Sequence, residues 1–230
     1  MNILITGGSR GIGLAISRKL GAGGHRLLLS GRDEGHLESA AALLPKDALY
    51  LAADAGDLSS ISQLVQYAKE QAFSPDVLIL NAAAFYDASR SVIEPDVEEL
   101  DRILRVNLLA NVALVKAFLP AVKAGSYPRI FFIGSTAALR PDSSFYAISK
   151  AALSNYARGL REELKVSGVG VTLIHPGATF TERRVPGEGI AEDRFLASED
   201  IAKLVETMLE LSPQAVVEEI SIRPMLGDTY

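Results

Sequence analysis

Seven short aliphatic runs set the limits on what this chain can become. They are Ile3-Leu4-Ile5, Leu27-Leu28-Leu29, Leu49-Tyr50-Leu51, Val77-Leu78-Ile79-Leu80, Ile130-Phe131-Phe132-Ile133, Val169 to Ile174 with Gly170 interrupting, and Val216-Val217 with Ile220 and Ile222. Most do not alternate apolar with polar residues, so strands made from them must be buried on both faces. Between the runs lie stretches with helical spacing: Gly13 to Leu20, Leu37 to Leu44, Leu58 to Ala72, Val97 to Val122, Phe145 to Leu164 and Ile201 to Leu211. The alternation predicts an α/β fold, a doubly wound parallel sheet of about seven strands with helices on both faces. Neither repeats nor a linker rich in Ser and Pro divides the 230 residues, so residues 1–230 read as a single domain.

Charge narrows the functions open to it. Lys and Arg number 23 against 28 Asp and Glu, a net charge of −5, which argues against a broad basic footprint for nucleic acid or an anionic membrane. There is no cysteine, and three scattered histidines, His25, His36 and His175, do not suggest a metal site. Met1 to Thr6 reads as strand, without the basic and apolar regions of a signal peptide. The greasiest stretch, Val106 to Val122, is interrupted by Asn107, Asn111, Lys116 and Pro120, so no run is expected to cross a bilayer. These observations predict a cytoplasmic protein. The helices 97–122 and 145–164 are apolar or Ala-rich around much of their circumference, which predicts a homo-oligomer, dimer or tetramer, through them.

In an open parallel sheet, ligands sit outside the carboxyl ends of the strands. After the first run comes Thr6-Gly7-Gly8-Ser9-Arg10-Gly11-Ile12-Gly13, opening a helix. Glycines at 7, 11 and 13 permit a tight turn, close packing of helix on strand, and approach of backbone N–H groups to a pyrophosphate. The spacing is Gly-x3-Gly-x-Gly. A second motif, Tyr146-Ala147-Ile148-Ser149-Lys150, places a phenol and an ammonium one helical turn apart on a shared face. A nearby ammonium favours phenolate, so Tyr146 is suited to general acid/base work. Taken singly, a Tyr-x-x-x-Lys pair is common surface decoration and a serine at a strand end is ordinary.

In that order and placement, the motifs resemble the short-chain dehydrogenases/reductases, specifically their short single-domain branch, and the resemblance covers nearly the whole chain. It implies a Rossmann fold and a nicotinamide cofactor. Thr6, Gly7, Ser9, Arg10, Gly11, Ile12 and Gly13 match the cofactor turn, and Asn107, Ser135, Tyr146 and Lys150 match the catalytic set. Ser135 is expected to hold the substrate oxygen, Lys150 the nicotinamide ribose, and Asn107 a water linking the lysine to solvent. Asp54 matches the adenine contact, Asn81-Ala82 the segment after the fourth strand, and Pro176, Gly177 and Thr181 the nicotinamide side. The family's Asn-Asn-Ala-Gly is here Leu80-Asn81-Ala82-Ala83, and the interval from Ser135 to Tyr146 is shorter than is common.

The second run ends Leu29-Ser30-Gly31-Arg32-Asp33. An NAD enzyme of this type generally carries an acid near position 31 to accept from the ribose 2′-OH. Ser30 and Gly31 leave that place neutral, while Arg10 and Arg32 suit a 2′-phosphate, which predicts NADP(H) over NAD(H). Asp33 and Asp57 read as helix caps. Phe85, Tyr86, Ala137, Leu139, Phe145 and Phe180, with Arg183-Arg184, are expected to face the substrate, and the segment 179–197 reads as a lid. His175 reads as structural. The expected activity is hydride transfer between NADP(H) and a carbonyl or alcohol. A regulatory or sensor protein of the same fold with little turnover is the alternative, and a nucleotide-sugar epimerase or dehydratase, typically longer, is a third.

Overall fold

The computed structural model describes residues 1–45, 47–85, 96–141, 144–182 and 191–228. Strands β1 (Asn2–Thr6), β2 (Arg26–Gly31), β3 (Leu49–Ala52), β4 (Val77–Leu80), β5 (Arg129–Ile133), β6 (Gly170–Pro176) and β7 (Glu219–Ile222) form one sheet in the order β3-β2-β1-β4-β5-β6-β7. Every pairing is parallel. Helices α1 (Gly11–Ala22), α2 (Glu34–Ala41), α3 (Leu58–Glu70), α4 (Val97–Leu104), α5 (Ala110–Ala124), α6 (Phe145–Leu164) and α7 (Ser198–Leu209) cover it. The chain winds outward through β1, β2 and β3, then returns to place β4 beside β1, which makes the β1/β4 boundary the topological switch point.

The aliphatic runs work as the absence of alternation requires. Ile3, Ile5, Leu27, Leu29, Val77, Ile79, Phe131 and Ile133 point to one face, where they pack with α1, α2 and α7. Their neighbours Leu4, Leu28, Leu78, Leu80, Ile130 and Phe132 point to the other, against α3, α5 and α6. Successive strand side chains point in opposite directions, so a strand apolar at every position is one with a core on each side. Short polar side chains start the helices: Asp33 accepts from the His36 N–H at 2.8 Å and Asp57 from the Ser59 N–H at 2.9 Å, as their sequence positions predicted.

Three features differ from the sequence reading. The seventh strand begins at Glu219; Val216-Val217 precede it, with Val217 packed against the α1/α7 face. The expected helix 97–122 is broken by a π-helical turn, Arg105–Leu109, between α4 and α5. One extra residue in a turn rotates the rest of the helix, a shift that apolar spacing does not register. Finally, the helical stretch Val97–Ala124 is long and apolar enough, by length and composition, to meet the measure of a membrane span, contrary to expectation. Here it serves the core, with Ile103, Val106, Ala110, Leu114, Phe118 and Val122 buried.

Two helical glycines differ in what surrounds them. A Cβ on Gly13 would collide with the Gly7 carbonyl oxygen and stand 2.6 Å from Asn81 Nδ2, whereas one on Gly159, in α6, meets nothing within 4 Å. Gly159→Ala should therefore stabilise the fold by about 0.4–1 kcal/mol through helix propensity and chain entropy. Gly13→Ala should destabilise it by about 1–3 kcal/mol through overpacking. Urea denaturation of the two variants checks the pair, and equal signs would contradict the packing described.

Candidate active site

The switch point is fastened by two short side chains. Thr6 Oγ1 accepts from the backbone N–H groups of Asn81 and Ala82 at 3.0 and 3.1 Å. Asn81 Nδ2 donates in return to the carbonyls of Thr6 and Gly7, both at 3.1 Å. The turn after β1 then folds back sharply: Gly7 has φ +64° and its N–H donates to Ser30 O at 2.7 Å, while Gly11 has φ +51°. Both values lie in the left-handed region that glycine adopts without a Cβ penalty. Ser17, fully buried within α1, donates to the carbonyls of Gly8 at 3.1 Å and Gly13 at 2.8 Å, locking the turn from below.

Above this turn opens a cavity of about 440 Å³. Of the sequence-predicted cofactor residues, Thr6, Gly7, Ser9, Arg10, Gly11, Ile12, Arg32, Asp54, Asn81, Ala82 and Thr181 line it. Gly13 lies behind the wall, where its missing Cβ allows α1 to approach the turn. Asp54 turns one carboxylate oxygen to the Gly56 N–H at 2.8 Å. The N-terminus of α1 already holds a carboxylate: Gly11 N–H donates to Glu182, with its two oxygens at 2.8 and 3.1 Å. An anion is at home there because the first helical N–H groups have no partner within the helix. Glu182 thus stands in for an anionic ligand group, and the left-handed Gly7 and Gly11 leave the cradle clear. The residues fit a dinucleotide phosphate.

At the far end of the cavity Phe85, 57% exposed, stacks on Tyr146 with ring centroids 5.1 Å apart and 19° between planes. Tyr146 lies in the first turn of α6, whose cap Ser144 accepts from the Ala147 N–H at 3.2 Å. Its phenol is hydrogen-bonded to the Ser135 side chain; burial raises it to about 12, with the Ser135 bond pulling the other way. Ser135 follows β5 and accepts from the Ala137 N–H at 3.2 Å, which holds its hydroxyl at the mouth of a short 3₁₀ turn. Lys150, 2% exposed, donates to Ile133 O at 2.8 Å, and its Nζ lies 5.7 Å from the Tyr146 ring centroid. Burial pushes the ammonium down to about 8. In the protein alone burial therefore outweighs the Ser135 hydrogen bond and holds the phenol in its protonated form.

Asn107 lies in the π-helical turn and is fully buried. Its Oδ1 accepts from Ala84 N–H at 2.7 Å, and its Nδ2 donates to Ala84 O at 3.0 Å and Ser149 Oγ at 2.9 Å. Ser149 passes the chain on by donating to Tyr146 O at 2.7 Å. The Asn107 side chain thus ties the segment after β4 to the first turn of α6, and its main-chain carbonyl accepts from Asn111 Nδ2 at 2.8 Å. His175, fully buried, donates from Nδ1 to Ser135 O at 2.9 Å, while Nε2 meets Glu219 Oε1 at 2.9 Å. Hydrogen bonding by Arg158 holds that glutamate below the usual carboxylate range.

Several expectations shift. Phe145, expected at the substrate pocket, packs instead into a cluster with Ala84, Ile103 and Val106, because the helical turn that exposes Tyr146 turns its neighbour inward. Phe180 packs on Phe195 at 6.2 Å. The base of the expected lid is pinned by a bridge between Thr179 and Leu196, with Leu196 N–H donating to Ala178 O at 2.9 Å. Tyr86, Arg183 and Arg184 lie outside the described residues. Pro176 ends β6 and Gly177 follows it, with Gly177 N–H donating to Ile222 O at 2.7 Å. Ser17 and Ser149 escaped the sequence reading, although each repeats a polar position inside an otherwise apolar helix face.

Comparison with known proteins agrees with this geometry. A family profile described as short chain dehydrogenase matches residues 1–187. An uncharacterized short-chain type dehydrogenase/reductase of Sinorhizobium fredii is 31% identical, over 96% of this chain and 90% of that protein. An uncharacterized oxidoreductase of Staphylococcus epidermidis is 29% identical, over 96% of each. Among solved structures, an alcohol dehydrogenase from the archaeon Thermococcus sibiricus complexed with 5-hydroxy-NADP superimposes with TM-score 0.89 at 27% identity, covering 100% of this chain and 98% of that one. A short chain dehydrogenase from Burkholderia cenocepacia in complex with NADP gives TM-score 0.85 at 28% identity, covering 96% and 95%. With the glycine turn, Ser135, Tyr146 and Lys150 gathered at the carboxyl ends of a parallel sheet, the chain belongs to the short-chain dehydrogenase/reductase family.

Proposed function

We propose that the protein is an NADP(H)-dependent oxidoreductase that transfers a hydride between nicotinamide and a carbonyl or alcohol carbon, as one catalytic unit over residues 1–230, with Tyr146 as general acid/base. The observation that carries this reading is the cavity that runs from the N-terminus of α1 to Phe85, whose ring lies on Tyr146. A dinucleotide along it would leave its phosphates at Gly11 and its reactive end at the phenol. Bound NADPH supplies the hydride. Ser135 and Tyr146 meet the substrate oxygen, and Tyr146 releases its proton to that oxygen as the carbonyl carbon is reduced. In the reverse direction the same oxygen takes the alcohol proton. Lys150 is a fixed cation beneath the site, below about pH 8, and Asn107 holds the first turn of α6 in place through Ser149.

The direction of the shifts gives a pH dependence. A phenol raised to about 12 stays protonated through the neutral range, as an acid must be to donate in reduction, whereas alcohol oxidation needs the phenolate. Carbonyl reduction should be level around neutrality and oxidation of the alcohol product should rise with pH into the alkaline range. NADPH oxidation against ketones, aldehydes, quinones and 3-oxoacyl thioesters reads the first and NADP+ reduction by the alcohol product reads the second; Tyr146→Phe should lose about 10²–10⁴ in turnover. Equal rates in that variant would overturn the mechanism. Tight NADPH binding with no turnover of any carbonyl would favour the sensor reading.

The preference for NADP(H) rests on charge around the end of β2. Arg10 and Arg32 flank the cavity where Ser30 and Gly31 offer no carboxylate to a ribose 2′-hydroxyl. Asp33 is nearby, but its Oδ1 is engaged with the first turn of α2 through His36 N–H at 2.8 Å and the His36 ring at 3.0 Å. Arg10→Ala with Arg32→Ala should lower the ratio of NADPH to NADH efficiency by about tenfold or more, as expected for lost charge-assisted phosphate contacts. An unchanged ratio in steady-state kinetics would defeat the assignment.

The outward faces of α5 and α6 carry this reading to assembly. Leu109, just before α5, and Ile148, in α6, are 41% and 42% exposed. They fit burial against a second copy, in an isologous contact. Light scattering on a sizing column at micromolar concentration should give the mass of a dimer or tetramer; a monomer would refute it.

A further inference from the structure

We propose that Asp228 is a positioning residue that sets the gap between the loop carrying Ser135 and the turn Pro176-Gly177-Ala178. After β7 the chain doubles back over the carboxyl ends of β5 and β6, and the Asp228 side chain, 4% exposed, lands between them. Its Oδ2 accepts from Thr136 Oγ1 at 2.9 Å, next in sequence to Ser135. Its Oδ1 accepts from Ala178 N–H at 2.8 Å. Arg223 Nε stands 3.5 Å from Oδ2 and balances the charge from the same tail. One carboxylate therefore joins two loops that approach the reaction from opposite sides.

The neighbouring residues are fitted to this crosslink. A Cβ on Gly177 would collide with Asp228 Oδ1, so the glycine of the turn makes room for the carboxylate as well as for any ligand. The serine loop is reached a second time from β7, whose first residue Glu219 meets His175, which in turn donates to Ser135 O. The Ser135 loop is thus held at its carbonyl by His175 and one residue later by Asp228. A buried carboxylate with one oxygen for each loop fixes their separation, because moving either loop leaves an oxygen without its donor. The role rests on the proposed function only in reading the two loops as the substrate side and the nicotinamide side. There, a shift of about 1 Å between reacting groups is enough to cost about 10²-fold in rate.

The test compares Asp228→Ala with Asp228→Asn in the full chain. Asn retains an oxygen for Ala178 N–H and offers an amide to Thr136 Oγ1, which accepts as well as donates. In Asp228→Ala we expect faster hydrogen exchange at the Ala178 amide and in segment 134–139, and kcat lower by about tenfold or more. The KM for the carbonyl and the affinity for NADPH, followed by nucleotide fluorescence, should move less than about threefold. Asp228→Asn should restore protection and most of kcat. Should Asp228→Ala fail to fold, Thr136→Val removes one arm alone and should loosen segment 134–139 without loosening Ala178. Wild-type exchange and kcat in Asp228→Ala, or an Asn variant as impaired as Ala, would overturn the inference. If the wild-type protein reduces no carbonyl, the proposed reaction fails separately, and amide exchange alone still decides the role of Asp228.

Discussion

The crevice of this protein depends on a pair of reciprocal hydrogen-bonding side chains at the β1/β4 boundary. Parallel strands that diverge at a switch point leave main-chain groups without sheet partners just where the ligand is to enter. Thr6 takes up the N–H groups of Asn81 and Ala82, and Asn81 takes up the carbonyls of Thr6 and Gly7. That exchange satisfies the loose ends and draws the glycine turn against β4. The closeness it imposes explains the residues around it. A Cβ at Gly7 would meet Asn81 Nδ2 at 2.9 Å and Ala82 Cα at 3.0 Å, so the tight fit that serves the backbone excludes side chains from the floor of the cradle.

A second constraint concerns the buried charge. Lys150 is surrounded by the ends of β5 and α6, and Ile133 O at 2.8 Å is its hydrogen-bonding partner among the described residues. Its value of about 8 in the folded chain lies below the ordinary value, so the unfolded chain holds that proton more tightly. The buried ammonium consequently opposes folding at pH below about 8, and stability rises as pH climbs from there toward the lysine's ordinary range. The fold tolerates this because the surrounding polar groups are tied to one another. Asn107, Ser149 and the carbonyl of Tyr146 form a buried chain in which each amide or hydroxyl hydrogen-bonds the next group, avoiding the cost of an unpaired amide in a dry helix contact. The π-helical turn is what brings Asn107 inward while Leu109 faces out.

Local signals in the sequence carried much of this. Strands apolar at every position revealed a two-sided sheet, Asp33 and Asp57 announced helix starts, and the four-residue spacing of Tyr146 and Lys150 gave their shared helical face. The features that escaped are those that spacing does not encode. The π-helical turn adds a residue without disturbing the apolar pattern enough to show. Phe145 and Tyr146 are adjacent aromatics, and only the path of α6 decides that one enters the core and the other the crevice. Glu182 meets Gly11 across 171 positions of chain, and Asp228 meets Thr136 across 92. Such pairings arise from tertiary return of the chain, and a lone carboxylate in a polar segment gives no sign of them. His175 reads as structural in the sequence; its ring holds the carbonyl of Ser135, so its structural role is exercised on the candidate catalytic loop itself.

The contrast between the floor and the rim of the crevice arises from these attachments. The sheet that floors the crevice is held by apolar packing on both faces, which sets its depth, and by parallel ladders, which set the register of its strands. The loops at its rim are held by directional, short hydrogen bonds with main-chain or hydroxyl groups, in which Ser17, Asn81 and His175 donate, Thr6 and Asp228 accept, and Asn107 does both. A hydroxyl that must meet a reacting oxygen needs lateral accuracy more than depth. Placing the directional contacts at the rim therefore locates Ser135 and Tyr146 relative to the glycine turn before any ligand arrives. Because most of these bonds end on backbone atoms, a side chain exposed in the crevice, such as Phe85, can differ without disturbing the frame that positions the hydroxyls.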